Sequence, residues 1–219
     1  NPVWSADGTK IAYIEGTVGF NYLKVMDLGV DGNGRTVTTV TGPSVQWGPT
    51  WSPGGTQIAL VRYAPGQVMS TQPDIFVVNV DGSGETNITN SDFDEWDPAW
   101  SPDGSRIAFA GVRLVSDLGA EFAIVTVNPD GSAEQILTAG DPGTPRATGL
   151  DGDRAPAWSP DSSKLVFLSE AQYPFGCCHP WHIWAVNRDG TGVTNLSNDD
   201  TVYEMGPSWS PDGTQMMIR

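Results

Sequence analysis

The stretch Pro98-Ala-Trp-Ser-Pro-Asp-Gly-Ser-Arg-Ile-Ala-Phe, residues 98–109, contains the pattern that decides the fold. Its first four residues recur as Pro2-Val-Trp-Ser, Pro49-Thr-Trp-Ser, Pro156-Ala-Trp-Ser and Pro207-Ser-Trp-Ser. The tryptophans of these five phrases, Trp4, Trp51, Trp100, Trp158 and Trp209, are 47, 49, 58 and 51 residues apart. A period of about 40 to 50 residues is typical of β-propeller blades.

Each phrase is followed by the same series of elements. A Pro-Asp-Gly-like turn leads into a short apolar strand, because Pro fixes φ while Asp and Gly tolerate the turn conformation. Third strands are predicted over 23–28, 75–80, 122–127 and 183–186, and fourth strands over 36–40, 86–89, 135–137 and 193–196. Four strands joined by tight turns make an antiparallel blade.

The sequence therefore predicts one all-β propeller domain of four complete four-stranded blades and the first two strands of a fifth. The expected blades are 2–42, 49–90, 98–140 and 156–199, with a half blade over 207–219. Because propellers close by joining their ends, we expect this open ring to be a fragment of a larger ring or to be completed by another chain.

These residues carry a family resemblance. The order Pro-x-Trp-Ser-Pro-Asp-Gly, Ile-Ala-Phe, and then 124–138 with its Asp-Gly turn resembles the WD40-like (PD40) repeat of TolB-like β-propellers. The resemblance implies a bacterial extracytoplasmic protein, periplasmic or secreted, that binds protein partners at the mouth of the channel. Similar repeats also occur beside hydrolase domains in prolyl-oligopeptidase-like enzymes and in polysaccharide lyases, so these remain alternatives.

Charge excludes several partners. The 219 residues include 26 Asp and Glu against 11 Lys and Arg, a formal net charge of −15. Such a chain repels phosphate backbones and anionic membranes, so we expect no nucleic-acid partner. No apolar run reaches the roughly 18 residues of a membrane span, and no basic region followed by an apolar one marks a signal peptide.

The face with the blade-to-blade and second-to-third-strand loops is the expected binding face, because its loops differ between blades. Just before the Pro-x-Trp phrases, one position reads Gln46, Glu95, Asp153 and Glu204, and the next reads Trp47, Trp96, Arg154 and Met205. A ring of acids beside aromatic and Arg anchors suits a protein, peptide or glycan ligand, and Asp94 and Asp97 belong to the same set of candidate binding residues. The alternative is that the Trp residues cover blade junctions and the acids are solvated.

The acidic residues also raise the question of a metal. Candidate Ca²⁺ ligands are Asp92, Asp94 and Asp97, and Asp151 with Asp153, since Ca²⁺ prefers oxygen ligands. Neither group matches the EF-hand loop. We therefore expect no cofactor, and Ca²⁺ is the alternative.

One loop concentrates unusual chemistry. The segment 173–182 contains both cysteines and both histidines of the chain, and its candidate ligand-binding residues are Tyr173, Phe175, Trp181 and His182. Cys177 and Cys178 suggest a vicinal disulfide, a soft-metal site or a loop packed on a neighbouring chain. Their adjacency suits zinc poorly, so the disulfide is favoured if the protein is extracytoplasmic.

Catalytic motifs are absent from the sequence. It contains no Gly-x-Ser-x-Gly, no His-Glu-x-x-His, no P-loop and no Gly-x-Gly-x-x-Gly. The absence of these motifs favours a non-catalytic propeller, and the family resemblance implies that it is an extracytoplasmic binding or scaffold protein. The alternatives are a propeller domain of a larger hydrolase or lyase, and a repeat module of an extracellular assembly whose open edges neighbouring chains complete.

Overall fold

The structure is a computed structural model that describes residues 2–17, 20–29, 36–42, 44–64, 72–114, 120–138, 153–170, 181–197 and 206–217. Blade 1 contains β1 (Val3–Trp4), β2 (Lys10–Thr17), β3 (Phe20–Asp27) and β4 (Thr36–Thr41). Blade 2 contains β5 (Val45–Trp51), β6 (Gln57–Arg62), β7 (Asp74–Asn79) and β8 (Thr86–Asn87). Blade 3 contains β9 (Glu95–Trp100), β10 (Ile107–Leu114), β11 (Ala120–Val127) and β12 (Gln135–Ile136).

Blade 4 contains β13 (Arg154–Trp158), β14 (Lys164–Glu170), β15 (Trp181–Asn187) and β16 (Thr194–Asn195), and the half blade contains β17 (Ser208–Trp209) and β18 (Met216–Met217). Each sheet is antiparallel with its strands in chain order, and the described residues contain no helix. The predicted all-β propeller of four blades and a half blade is confirmed.

Third strands begin earlier than the apolar pattern predicted. The first residues of β3, β7, β11 and β15 are Phe20, Asp74, Ala120 and Trp181, whereas the predicted starts were 23, 75, 122 and 183. In blade 3 the pairing of β10 with β11 continues to Leu114 opposite Ala120. Backbone hydrogen bonds extend the hairpins beyond the buried residues, and a search for apolar runs detects only the buried part.

The hydrophobic core lies between blades. One cluster of buried side chains joins blades 1 and 2, a second joins blades 2 and 3, a third joins blades 3 and 4, and the fourth packs blade 4 against Trp209 and Met216 of the half blade. The first strands of consecutive blades also contact one another, which places them nearest the axis. The sheets of blades 2, 3 and 4 are thus buried on both faces, which explains their runs of apolar residues, whereas blade 1 and the half blade each pack against a single neighbour among the described residues.

The repeated tryptophan links blade 2, blade 4 and the half blade to the preceding blade, whereas in blade 3 the Trp100 indole N–H donates to the carbonyl of Gly104 in its own turn at 3.3 Å. Trp51 donates its indole N–H to the carbonyl of Val3 at 3.1 Å, and Trp158 donates to that of Ala99 at 3.1 Å. Trp209 makes the same bond to Ala157 at 3.2 Å. Among the described residues no blade precedes Trp4, which is 59% exposed, compared with 8% for Trp51.

The first turn of each blade is held by a serine and, in most blades, an aspartate. In blade 4, Ser159 donates its hydroxyl to Asp161 at 2.6 Å, and the backbone N–H of Ser163 donates to the same carboxylate at 3.0 Å. These bonds lower the pKa of Asp161 to about 2, the Ser159 hydroxyl contributing most. The equivalent Ser5 and Ser210 hydroxyls lower the pKa of Asp7 and of Asp212 to about 2. The Asp-rich turns therefore stabilise the fold locally.

A pair of tryptophan substitutions tests the indole bonds between blades. Trp158→Phe removes the bond to Ala99, whereas the buried N–H of Trp184 has no hydrogen-bond partner among the described residues. Since both changes delete the same atoms, we expect Trp158→Phe to lower the free energy of unfolding by about 1 kcal/mol more than Trp184→Phe. Urea denaturation measures the difference, and equal midpoints would contradict the role given to the bond.

Acidification tests the turns. The pKa of Asp161 is lower in the folded protein than its ordinary value of 3.8, so its charge stabilises the fold above pH 3.8, and this contribution is lost as the pH falls to about 2. We expect Asp161→Asn to have a lower denaturation midpoint than the wild type at neutral pH. The two midpoints should converge on acidification towards about pH 2. A difference that does not change with pH would contradict this prediction.

Candidate functional site

The loop face is defined here as the end of the blades where second strands end and third strands begin. The opposite end, which contains the Asp-Gly turns, is the turn face. The first strands start at the loop face, and residues 46–48, 95–97 and 154–155 lie within β5, β9 and β13. The prediction that these residues form blade-to-blade loops is therefore wrong, because they lie within the first strands, in which Trp47, Glu95, Trp96 and Arg154 pair with the second strands.

An irregularity divides each of these first strands. Three residues before the repeated tryptophan, the backbone has positive φ at Gly48 (30°), Asp97 (53°), Ala155 (49°) and Gly206 (51°). The strand register shifts across this position in blades 2, 3 and 4. The next residue is the proline of the phrase, which suits a bulge because it has no N–H to donate to the ladder. The bulge re-aims the side chains that precede it.

Two members of the predicted acidic ring are buried and do not line an open channel. The Glu95 side chain is 0% exposed, and Asp153 is also buried. Glu95 accepts a hydrogen bond from the Arg113 guanidinium at 2.8 Å, and Arg113 also bonds Glu134. These acids are therefore neither ligand-facing, as the ring hypothesis required, nor solvated, as the alternative required.

Burial governs the electrostatics of the Glu95–Arg113 ion pair. Burial raises the pKa of Glu95, and the Thr89 hydroxyl and the charge of Arg113 oppose the rise without cancelling it. Burial alone would lower the pKa of Arg113, but Glu134 and Glu95 raise it above its ordinary value. Gly111 leaves room for the pair, since a Cβ there would lie 3.0 Å from Arg113 Nη1. The pair is a structural element of blade 3.

Asp153 and His182 also have structural partners. The Thr138 hydroxyl of blade 3 donates to Asp153, the residue that precedes the first strand of blade 4. His182 is buried, and its Nδ1 lies 3.0 Å from the Asn195 side-chain amide. The amide N–H donates to this nitrogen, as the Asn87 amide does to Asp74 in blade 2. Neither predicted ligand-binding side chain is presented at the surface.

Three other predicted residues come together at the loop face. Trp96 stacks on Phe122 of the same blade, with ring centroids 5.6 Å apart and an interplanar angle of 25°. The guanidinium carbon of Arg154 lies 5.8 Å from the ring centroid of Trp96 and 5.8 Å from that of Trp181. All four side chains are half-buried. We call Phe122, Trp96, Arg154 and Trp181 the loop-face stack.

The loop-face stack is built from the same two sequence positions in blade 3 and in blade 4. Trp96 and Arg154 both stand four residues before the repeated tryptophan, and Phe122 and Trp181 both stand two residues before the buried isoleucine of the third strand. In blade 3 these two positions are occupied by the aromatic rings of Trp96 and Phe122, and in blade 4 they are occupied by the guanidinium of Arg154 and the indole of Trp181. Sequence reasoning did not identify Phe122, although alignment of the third strands would have paired it with Trp181.

The remaining acids of the predicted site have different environments. Asp97 accepts a hydrogen bond from the backbone N–H of Ala155 at 3.3 Å, which ties blade 3 to blade 4. Partial burial raises the pKa of Asp94, and Asp92 is exposed. Within the described ranges, no group of three or more His, Cys, Asp or Glu side chains could hold a metal ion. Ca²⁺ binding stays a prediction, because Asp151 lies outside these ranges.

Several predicted residues cannot be placed. Gln46 and Trp47 belong to β5, but their side chains lie outside the described part of the structure. Residues that lie wholly outside it are Tyr173, Phe175, Cys177, Cys178 and Glu204. The hypotheses on the vicinal disulfide and on the aromatic loop therefore stay predictions.

Comparisons with known proteins agree with the fold. The family model of the TolB beta propeller domain, PD40, matches residues 1–148. A protein assigned as TolB from Agrobacterium tumefaciens is 24% identical with a TM-score of 0.70, and the match covers 99% of this chain and 68% of that one. TolB from Acinetobacter baumannii is 20% identical with a TM-score of 0.65, and the match covers 99% of this chain and 47% of that one.

A similar arrangement of blades occurs in an enzyme. Oligogalacturonate lyase in complex with manganese is 16% identical with a TM-score of 0.65, and the match covers 100% of this chain and 60% of the lyase. At these identities the likeness to solved structures shows the fold alone. No curated protein matches the chain. The described part of the chain contains no helix that could cross a membrane.

Substitutions of two glutamates test the buried ion pair. Glu95→Gln removes one of the two acidic partners that the buried Arg113 has among the described residues. The remaining partner is Glu134, which is 43% exposed. We expect a loss of about 3 kcal/mol in the free energy of unfolding, because an under-compensated buried charge is strongly destabilising. The matched change Glu134→Gln should cost less than about 1 kcal/mol. Chemical denaturation measures both, and similar losses would contradict the assignment.

Proposed function

The chain belongs to the TolB beta propeller domain family, and from this membership we propose that it is a non-catalytic propeller that binds a protein, peptide or glycan at its loop face. A location outside the cytoplasm is part of the proposal and rests on the family resemblance. The TolB-assigned structures and the lyase are longer than this chain, so what the whole protein does is included in the proposal.

The loop-face stack is the observation that carries the proposal. Each blade must bury its sheet faces against its neighbours, and aliphatic and aromatic side chains do this in the four core clusters. At the loop end of blades 3 and 4 the chain places two half-buried indoles, a half-buried phenyl ring and a guanidinium against one another, and one of the indoles, that of Trp181, also packs against the core of blade 4. Large aromatic side chains and Arg are enriched in the centres of binding interfaces, where they supply contact area with little loss of rotamer entropy.

The turn face is a weaker candidate for ligand binding than the loop face. Its aspartates are engaged by neighbouring hydroxyl and backbone groups, as at Asp7, Asp81, Asp130 and Asp189. An open groove of about 420 Å³ near this end is lined mainly by Trp4, Trp51, Trp100 and the prolines of the repeated phrases. These residues recur because the blades need them, so they do not favour a specific ligand.

A binding function fits the described chemistry better than catalysis. The buried carboxylates of the described residues, Glu95, Asp153 and Asp74, accept hydrogen bonds from Arg113, Thr138 and Asn87, and His182 is bonded to Asn195. A general acid or base needs access to a substrate proton, which these buried positions do not provide. If this propeller is instead part of a larger hydrolase or lyase, its loop face would still contribute binding, and the chemistry would come from elsewhere.

A library screen with two matched variants tests the proposal. The wild-type chain is screened against an array of oligosaccharides and a displayed peptide library, and each hit is measured again with Trp181→Ala and with Leu196→Ala. Leu196 is an exposed apolar residue of blade 4 outside the stack. We expect Trp181→Ala to weaken binding by about tenfold or more, because it removes an interface aromatic, and Leu196→Ala to leave it unchanged.

Two outcomes would contradict the proposal. Hits that bind equally to the wild type and to Trp181→Ala would place recognition away from the loop face. Hits that are cleaved during incubation, detected by mass spectrometry, would show catalysis. Thermal melts of both variants establish that they are folded.

A further inference from the structure

The outer strand of blade 1 is longer than the outer strands of the other blades. β4 (Thr36–Thr41) has six residues, whereas β8, β12 and β16 have two residues each. Residues 36–39 are exposed, and Val40 and Thr41 are buried. Proteins generally keep exposed edge strands very short, because the outward N–H and C=O groups of an edge can pair with another chain. Blades 2, 3 and 4 follow this rule, and blade 1 does not.

The sequence of β4 also lacks the residues that usually block pairing at an edge. It reads Thr-Val-Thr-Thr-Val-Thr, with no charged residue, no Pro and no Gly. Every residue is β-branched, which favours the extended conformation. The pairing of β4 with β3 is regular over residues 36–39, and the register shift lies beyond them, between Thr39 and Thr41. Since the other three blades form with two-residue outer strands, the propeller itself does not require this long edge.

The outer side of β4 is open over residues 36–39. β4 is the last strand of its sheet, and within the described ranges the backbone of these residues is hydrogen-bonded to β3 alone. In an antiparallel pair every second residue directs its N–H and C=O away from the partner strand, so two of the four residues present both groups on the outer side. The open edge ends at Val40. There the backbone of Gly82 in blade 2 approaches so closely that a Cβ on Gly82 would lie 2.8 Å from the Val40 carbonyl oxygen.

The exposed Val37 side chain ends an apolar row that crosses blade 1. In the pairing of the four strands, Trp4 lies opposite Ile11, Ile11 opposite Met26, and Met26 opposite Val37. Opposite residues of an antiparallel pair share one face of the sheet and contact each other. Val37 is 47% exposed, and a fifth strand beside β4 would cover it. The residue of that strand opposite Val37 would continue the row, which favours an apolar side chain there.

The charge at the Val40 end of the edge favours a basic partner. Asp81 precedes Gly82 in the turn of blade 2 that reaches Val40, and its carboxylate accepts hydrogen bonds from the hydroxyl and the backbone N–H of Ser83. These bonds, the hydroxyl first, lower the pKa of Asp81, so the carboxylate is charged at neutral pH. Among the described residues no Lys, Arg or His side chain pairs with it.

The lysines beside β4 do not reverse this preference. Lys10 lies 2.6 Å from Asp27, and Lys24 lies 3.5 Å from Glu15, so the charge of each is compensated by an acid of blade 1. The whole chain has a formal net charge of −15. A basic segment is therefore attracted to this protein, whereas a second copy of the chain is repelled.

The length of the edge also favours a flexible segment over a second copy. A standard protein interface has about 20 to 30 residues on each side, and two β4 edges would bring together only residues 36–39 of each copy. An extended segment has no folded body to accommodate beside the blade. It gains affinity from main-chain hydrogen bonds to the edge and specificity from alternate side chains.

We propose that the outer edge of β4 binds an extended, basic segment of a partner protein, which adds a fifth strand to blade 1. The main chain of the segment pairs with residues 36–39, an apolar side chain lies beside Val37, and a Lys or Arg side chain pairs with Asp81. This interaction surface goes beyond the proposed binding function, because it lies in blade 1 and shares no residue with the loop-face stack of blades 3 and 4.

Designed peptides added to the intact chain test the proposal. The first peptide is Lys-Thr-Val-Thr-Val-Lys with both ends blocked, and a second has Glu in place of both Lys residues. A third is the basic peptide N-methylated at its two central residues, which removes a donor from each edge of the strand. Nuclear magnetic resonance follows the backbone N–H signals of residues 36–39. We expect the basic peptide to shift these signals and to slow the exchange of the outward N–H groups. The Glu peptide should bind at least about tenfold more weakly, and the N-methylated peptide should cause no shift.

Substitutions at matched positions of blades 1 and 3 locate the site. Val37→Lys places a charge on the open edge, and Ile136→Lys makes the same change on the two-residue strand β12, where Ile136 is 41% exposed. We expect Val37→Lys to weaken binding of the basic peptide by about tenfold or more, because an edge lysine blocks strand addition, and Ile136→Lys to leave it unchanged.

A second matched pair tests the charge contact. Asp81→Asn should weaken binding of the basic peptide by about threefold, the effect of losing one exposed ion pair. Asp130→Asn changes the same turn position in blade 3 and should leave binding unchanged. Thermal melts establish that each variant is folded.

The proposal is overturned if the basic peptide leaves the signals of residues 36–39 unshifted, if the N-methylated peptide binds equally well, or if Val37→Lys binds as the wild type does. Equal binding of the Glu peptide overturns the choice of a basic segment. Sedimentation of the chain alone adds one more outcome: a dimer in which the N–H groups of residues 36–39 are already protected would show that a second copy occupies the edge. Trp181→Ala should leave peptide binding unchanged, which separates this surface from the loop face.

Discussion

The packing of one indole against the neighbouring blade is the interaction on which the rest of this structure depends. Trp51 and Trp158 are buried at blade junctions and Trp209 is partly buried, and each of the three donates to the carbonyl of the residue before the preceding blade's tryptophan. A single blade cannot bury both faces of its sheet, so its stability comes from these junctions. The indole contributes a large apolar area and a directional bond at the same point, and it thereby sets how consecutive blades are aligned.

The proline two residues before this tryptophan also changes the shape of the first strand. Because it cannot donate to the strand ladder, the first strand forms a bulge there, and the preceding residue takes positive φ in Asp97 and Ala155. The residues before the bulge are thereby freed from the strict alternation of the strand. Trp96 and Arg154 lie in this segment, and they meet across the junction of blades 3 and 4. The bulge in the first strand therefore also allows side chains that differ between blades to be presented at the loop face.

Buried polar contacts complete the junctions at that end. The Thr138 hydroxyl meets Asp153, Asp97 meets the backbone of Ala155, and Glu95 is paired with Arg113 inside blade 3. Such groups lose hydration on folding and must be hydrogen-bonded to one another to compensate. They tie the loop ends of blades 3 and 4 to one another and fix the positions of the backbone segments beside the stack, and a binding surface gains affinity from such preorganisation. The loop-face stack rests on this layer.

The five spaced Pro-x-Trp-Ser phrases with their turns were enough to predict the fold, because they allow one arrangement of blades, in which the tryptophans of blades 2, 3 and 4 are buried. The sequence pattern also selected the positions of Trp96, Arg154 and Trp181. Which of the candidate residues face solvent depended on the folded structure: Glu95, Asp153 and His182 looked equivalent to their neighbours in the sequence but are buried. The physical reason is that the exposure of a side chain before a bulge depends on the bulge and on the adjacent blade, and residues of that blade, such as Thr138, lie far away in the chain.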